Sequence, residues 1–178
     1  MSDRKLKLIF LDIDGVLNNS EDNTSFSSYM PEKYGISEKN LENFLSILER
    51  VKDVKIVLST SWRKYPYDYE YRYKDKLFKS PLKGLIDRIG KNRFYEIDRI
   101  PHLNRKTKYL DIMGFFYILK ERKHIDMADV SFVILDDLRN QDLDLFEHNF
   151  FCTNVKTGLT ASDAENIFFF LTQEISYA

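Results

Sequence analysis

The stretch Leu6-Lys7-Leu8-Ile9-Phe10-Leu11-Asp12-Ile13-Asp14-Gly15 decides the fold. Its mostly apolar run of six residues stops at two aspartates and a glycine, which reads as a buried strand ending in a turn. Asp and Gly are common turn residues, so a strand-ending turn by itself accounts for Asp-x-Asp-Gly. A calcium-binding loop starting at Asp12 fails, because its sixth and twelfth positions are Leu17 and Asn23 where Gly and Glu are required. The meaning of the aspartates therefore depends on what else in the chain ends the same way.

Two further segments do. Val54 to Leu58 is a second β-branched run that breaks into Ser59-Thr60-Ser61-Trp62, and Val130 to Leu135 is a third that stops at Asp136-Asp137. Between the first two, Ser37 offers an N-cap, and Leu41, Phe44, Leu45, Leu48 and Val51 recur at helical spacing. Strand, helix and strand make a βαβ unit with a parallel pair and a right-handed crossover. The middle predicts a helix over Lys76–Ile89, despite Pro81 and Gly84, and a strand over Phe94–Ile97. A helix follows a cap at Asn104, with Leu110, Met113 and Tyr117 joined by Phe116. Asn149–Thr153 reads as a fourth clear strand, and Ala161–Ile175 as a closing helix with Ala164, Ile167, Phe168 and Leu171 on one face. Alternating strands and helices predict a three-layer α/β sandwich with a central, mostly parallel sheet.

At 178 residues, with 43% hydrophobic and 31% charged, the chain is expected to form one domain over residues 1–178. Its net charge of −1 excludes a wholesale basic nucleic-acid coat or an acidic tail protein. The balance hides an asymmetry: residues 62–108 hold 14 Lys/Arg against 6 Asp/Glu, leaving 13 against 22 elsewhere. One cysteine, Cys152, cannot form an internal disulfide, the charged start is unlike a signal peptide, and no apolar run reaches the roughly 20 residues needed to span a bilayer. The expectation is a soluble protein of the reducing cytosol, with no membrane partner and compatible with a monomer. G-x-x-x-x-G-K-[ST], G-x-G-x-x-G and H-E-x-x-H are absent, which leaves nucleotide-kinase, dinucleotide and zinc-protease readings without support. His102, His124 and His148 are scattered and read as surface or structural, and Cys152 as a small core residue.

In open parallel sheets, binding sites form at the carboxyl ends of strands. Asp12, Asp14, Asp136 and Asp137 would gather there with Ser59, Thr60 and Ser61. A carboxylate pair at about 4 Å costs roughly 1 to 4 kcal/mol over effective dielectrics from 80 down to 20. A cation should sit among them, and oxygen-only ligands select a hard one, with Mg²⁺ the natural candidate.

Asp12-Ile13-Asp14-Gly15-Val16-Leu17-Asn18, Ile56-Val57-Leu58-Ser59-Thr60-Ser61-Trp62-Arg63 and Val133-Ile134-Leu135-Asp136-Asp137 resemble motifs one, two and four of the haloacid dehalogenase (HAD) phosphohydrolase superfamily. Ser61-Trp62-Arg63 and Thr157-Gly158-Leu159-Thr160 look closest to the small HAD domains associated with RNA repair, which are distantly similar to the phosphatase part of polynucleotide kinase-phosphatase. The resemblance implies a HAD-like Rossmannoid fold and a Mg²⁺-dependent phosphomonoesterase. Asp12 would be the nucleophile that carries an aspartyl-phosphate, and Asp14 the general acid and base. Asp12, the Asp14 main-chain carbonyl and Asp136 would hold Mg²⁺, with Asp137 in support. The Thr60 hydroxyl and Ser61 N–H would bind the transferring phosphoryl group; Thr60 is preferred to Ser59 on strand length counted from Lys55. The family also uses a cation near the start of the helix before motif four. Arg105, Lys106 and Lys108 all qualify, no spacing rule chooses among them, and Lys106 is taken.

Between Asn18 and Ser37 there are too few residues for a folded cap, and only the stretch around 63–105 leaves room for a small Tyr/Lys/Arg-rich insert. An uncovered site suits a large substrate such as an RNA or DNA end, or a phosphoprotein. Tyr65, Tyr67, Tyr69, Tyr71 and Tyr73 fall at strict period two among charged residues. An extended backbone would put these rings on one face able to stack bases, although a half-buried edge strand or a flexible flap is the more ordinary explanation. Arg63, beside the phosphate cradle, could clamp a second phosphate, whereas Trp62 reads as core packing. The leading expectation is a phosphatase for nucleic-acid or nucleotide ends. Its rivals are a phosphoprotein phosphatase and a catalytically idle HAD-like module that binds RNA or protein. Against idleness, a pure binder gains nothing from clustered negative charge.

Overall fold

β1 (Leu6–Leu11) is the middle strand of a five-stranded sheet in which every neighbouring pair is parallel. The computed structural model describes residues 6–22, 35–64, 70–73, 76–79, 81–99, 107–138 and 142–173, with the side chains of 63, 64, 70–73, 76–79, 81 and 96–99 set aside. After β1 come α1 (Glu38–Arg50), β2 (Val54–Leu58), β3 (Glu70–Tyr73), β4 (Lys76–Lys79), α2 (Pro81–Ile89) and β5 (Phe94–Arg99). α3 (Lys108–Lys123), β6 (Val130–Asp136), β7 (Phe150–Cys152) and α4 (Ala161–Thr172) complete the order. The sheet runs β5-β2-β1-β6-β7, while β3 and β4 form a separate antiparallel pair. The chain builds outward from β1 through β2 to β5, then returns to β6 on the other side of β1. The strand order thus reverses between β1 and β6, the kind of crevice in which open α/β sheets bind ligands.

Because side chains alternate along a strand, β1 feeds two cores. Ile9 and Leu11 pack with Leu41, Phe44 and Ile47 of α1, Leu82 and Leu85 of α2, and Ile167 and Leu171 of α4. Leu8 and Phe10 pack on the opposite face with Ile112, Phe115, Phe116 and Leu119 of α3. The expected three-layer α/β sandwich is what forms, a HAD-like Rossmannoid with α1, α2 and α4 on one face and α3 on the other.

Several boundaries differ from the sequence reading. The segment expected as one helix over Lys76–Ile89 is a strand, Lys76–Lys79, followed by a helix from Pro81. Proline tolerates the first helical turn, where its missing N–H has no intrahelical partner, so it marks a start instead of an interruption. α3 begins after Thr107, whose hydroxyl caps the Leu110 N–H, and not after Asn104, which lies outside the described residues. Its buried face is Ile112, Phe115, Phe116 and Leu119, whereas Leu110 and Tyr117 are 43% and 64% exposed. The reason lies in the sheet: Phe10 meets Phe115 edge-on at 5.3 Å and Phe132 at 5.9 Å, and Phe116 packs on Phe132 at 4.9 Å. These ring contacts set the rotation of a helix that carries apolar residues on all sides. α4 ends at Thr172, and β7 is shorter than Asn149–Thr153. Of the tyrosine stretch, Tyr65, Tyr67 and Tyr69 lie outside the described residues, while Tyr71 and Tyr73 belong to β3.

Phe10 is fully buried at the centre of that aromatic cluster. Replacing Phe10 with Ala should cost about 3–5 kcal/mol of stability, read as a lower urea midpoint at unchanged m-value. A midpoint shift worth under about 1 kcal/mol would show that the cluster does not anchor α3.

Candidate active site

Four strands, β2, β1, β6 and β7, end at one edge. The Ser59 N–H donates to the Leu11 carbonyl at 2.8 Å, the Asp12 N–H to Leu135 at 2.9 Å, and the Thr153 N–H to Asp136 at 3.0 Å. Each of these bonds prolongs a ladder by one rung and aligns the strand tips. Ser59 still belongs to the ladder, so Thr60, 1% exposed, is the first residue beyond it. After Asp12 the chain coils tightly, with the Val16, Leu17 and Asn18 N–H groups all donating to the Ile13 carbonyl. Gly15 sits in this coil at φ +70°, and a Cβ there would lie 2.4 Å from Cγ of Asp137. Glycine is thus what allows the first-strand turn and the Asp136-Asp137 turn to approach each other.

At this edge Asp12, Asp136 and Asp137 each offer a carboxylate oxygen, all within 4.8 Å of one another. Lys108, from the first turn of α3, bridges Asp12 Oδ2 and Asp136 Oδ2 through its ammonium. Asp12 Oδ1 accepts the Ile13 N–H at 2.7 Å, and Asp136 Oδ1 accepts the Leu138 N–H at 2.9 Å. Burial, reinforced by the charge of Asp12, raises Asp136 to about 7 even with Lys108 opposing it. Burial and Asp12 push Asp137 upward as well. Burial works against the charge on Lys108, but Asp12 and Asp136 outweigh it and hold the ammonium above its ordinary range. Among the described residues, one ammonium thus faces the four carboxylates of Asp12, Asp14, Asp136 and Asp137. The residual negative charge and the all-oxygen donor set fit a hard divalent cation.

Asp14 stands beside this cluster under different control. The indole Nε1–H of Trp62 donates to both of its carboxylate oxygens at 3.0 Å, and Asn18 Nδ2 donates to Oδ1 at 2.8 Å. Asn18 in turn accepts the Gly15 N–H at 2.9 Å, which ties the clasp back to the turn. Burial, helped by Asp12, raises the Asp14 carboxyl, while the Asn18 and Trp62 bonds hold the rise down.

The late loop is fastened to the same turn by asparagines. Asn19 Nδ2 donates to Asn40 Oδ1 at 2.7 Å, Asn40 Nδ2 donates to the Thr157 and Leu159 carbonyls, and Asn43 Nδ2 donates to Leu159. The Thr153 hydroxyl donates to the Gly15 carbonyl at 2.7 Å, and the Leu159 N–H donates to Val16. Thr157-Gly158-Leu159-Thr160 therefore braces the aspartate-bearing turn from behind, and Thr160 goes on to cap α4.

The structure brings Asp12, Asp14, Thr60, Asp136 and Asp137 to one edge. Ser61 is exposed at the start of the single turn Ser61–Lys64, and Arg63 lies on that turn with its side chain outside the described set. Lys106, the cation taken from the sequence, and Arg105 lie outside the described residues, whereas Lys108 is in the cluster. The sequence reading placed Trp62 in the core, where it is 1% exposed, but missed its bond to Asp14. It also missed Asn18, Asn19, Asn40, Asn43 and Thr153. The Asn18-Asn19 pair, following Asp-x-Asp-Gly after Val16 and Leu17, was the available signal for the first two.

A doubly wound parallel sheet with paired aspartates beyond its central strand and beyond the strand across the switch point defines a haloacid-dehalogenase-type domain. The chain belongs to the family described as the HAD domain in Swiss Army Knife RNA repair proteins, which matches residues 8–164. Phosphohydrolase chemistry in the setting of RNA repair is the activity of that family. No curated protein and no solved structure matches the chain. No helix among the described residues is long and apolar enough to cross a membrane.

The raised Asp136 carboxyl has a consequence for stability. From its ordinary 3.8 up to about 7, the folded state holds a proton that the unfolded chain has lost. The contribution of this group therefore favours folding at acid pH and is lost as pH rises through that window. In the presence of a chelator, the wild type should lose more melting temperature between pH 5 and pH 8 than Asp136→Asn does. Parallel losses in the two proteins would contradict the burial and repulsion assigned to Asp136.

Proposed function

We propose that the chain is a Mg²⁺-dependent phosphomonoesterase acting on nucleic-acid ends through an aspartyl-phosphate on Asp12. The observation that supports this most strongly is the convergence of Asp12, Asp136 and Asp137 at the switch point under the Lys108 ammonium. Family membership in an RNA repair setting adds to it.

On this reading Asp12 Oδ2 attacks phosphorus, the bond to the leaving oxygen breaks, and Asp14 gives that oxygen a proton. Asp14 then takes a proton from the water that attacks the acyl phosphate, releasing phosphate and restoring Asp12. Lys108 holds Asp12 Oδ2 in place through its ammonium and balances charge on the phosphoryl oxygens as they enter. The Thr60 oxygen accepts the Trp62 N–H at 3.3 Å, which leaves its own hydrogen to be donated to a phosphoryl oxygen. The Ser61 N–H supplies a second donor, and Arg63 a clamp for a neighbouring phosphate. Asp12, Asp136 and the Asp14 carbonyl, with Asp137 in support, would hold Mg²⁺, which when bound supplies Lewis-acid polarisation of the phosphoryl group.

Among the described residues no helical cap is inserted between β1 and α1, and the pair β3 and β4 is the extra element between β2 and α2. Too few residues lie between Asn18 and Ser37 for a folded cap, which suits a polymer end, and the 14 Lys/Arg against 6 Asp/Glu over residues 62–108 favour a polyanion over a phosphoprotein. Phosphate release should be faster from 3′- or 5′-phosphorylated oligonucleotides than from phosphopeptides, and should need Mg²⁺. Asp12→Asn should lower it by at least about a thousandfold, because removing a nucleophile leaves only binding and electrostatic catalysis. Equal activity in the wild type and Asp12→Asn would refute the nucleophile assignment, and a preference for phosphopeptides would refute the substrate assignment.

A further inference from the structure

The indole of Trp62 is almost wholly buried, yet its one polar atom is spent on a carboxylate of the site. Indole nitrogen can donate but never accept. Its N–H therefore supports Asp14 as an acceptor and cannot take a proton from it. Asn18 adds a second donor to Oδ1, so among the described residues Oδ1 accepts from two groups and Oδ2 from one. The oxygen with the spare acceptor capacity is the one that carries a transferable proton. The main-chain N–H of Trp62 donates to Thr60 Oγ1 at the same time. One residue thus touches both the hydroxyl assigned to the phosphoryl group and the carboxylate assigned to the leaving oxygen.

We infer that Trp62 is a positioning residue: with Asn18 it holds Asp14 so that Oδ2 delivers the proton to the leaving oxygen. This rests on the phosphatase reading above and adds to it the atom that moves the proton and the residue that aims it. In the first step the Oδ2–H bond breaks and a new O–H bond forms on the departing oxygen, as the bond from phosphorus to that oxygen gives way to a bond with Asp12. In the second, Oδ2 takes a proton from the attacking water as the bond between phosphorus and Asp12 is broken. No other reactant is required.

A buried tryptophan that only filled space would affect all substrates alike when altered. One that aims a general acid affects substrates according to how much their leaving group needs a proton. p-Nitrophenyl phosphate and phenyl phosphate have nearly the same shape, but p-nitrophenolate departs readily without protonation and phenolate does not. The test compares kcat for the two in the wild type and in Trp62→Phe. The ratio of the two rates within one preparation is independent of how much of that preparation is folded. Because Trp62 is the only tryptophan of the chain, a second variant can replace it with benzothienylalanine, which keeps the ring volume and exchanges the N–H for sulfur.

General acid catalysis contributes on the order of 10²–10⁴-fold, so loss of aim should cost phenyl phosphate at least about tenfold more than p-nitrophenyl phosphate in both variants. Equal losses on the two substrates would overturn the positioning role while leaving the phosphatase reading intact. A wild type that releases phosphate from neither of these nor from phosphorylated oligonucleotides, with or without Mg²⁺, would overturn both.

Discussion

Mutual repulsion among Asp12, Asp14, Asp136 and Asp137 is the constraint around which this molecule is built. Three of them, Asp12, Asp136 and Asp137, offer oxygens within 4.8 Å of one another and cannot all ionise without compensating positive charge. Among the described residues one ammonium, from Lys108, offsets part of that imbalance. A site so arranged attracts cations, and on the proposed reading it accepts a phosphoryl group only when a further positive charge comes with it. The proposed chemistry and metal requirement would both follow from the same electrostatic deficit.

The fold holds the repelling groups together by making their backbones part of the core. Asp12 and Asp136 directly extend β1 and β6, two neighbouring strands buried on both faces, so neither can move without breaking ladder bonds and the packing beneath them. Gly15 removes the Cβ that would keep Asp137 away, and the asparagine braces from α1 pin the late loop against the turn. Asp14 is set apart by the neutral donors Trp62 and Asn18. Two neighbouring carboxylates thus meet different surroundings, as the roles of nucleophile and proton carrier proposed for them require.

Much of this was legible in the chain. β1, β2 and β6 are covered on both faces, so their near-continuous apolar runs stand out, and aspartates stopping such runs are conspicuous. The rotation of α3 was not legible, because apolar residues surround that helix and only the rings of Phe10 and Phe132 choose among its faces. That ambiguity also hid the cluster cation. Lys108, Ile112, Phe115 and Leu119 fall at i, i+4, i+7 and i+11, one stripe toward the sheet, so a correct helix phase would have pointed to Lys108 before Lys106. The Trp62 bond and the asparagine braces were invisible for another reason. They join residues tens of positions apart by single polar atoms, which leave no periodic trace.

Calorimetric titration of the chelator-treated protein with Mg²⁺ tests the central claim most directly. The account predicts one ion per chain in the wild type, with binding tighter at pH 8 than at pH 6 because Asp136 must give up its proton, and weakened severely in Asp136→Asn. Undiminished binding in that variant, or none in the wild type, would mean that the converging aspartates do not share a cation.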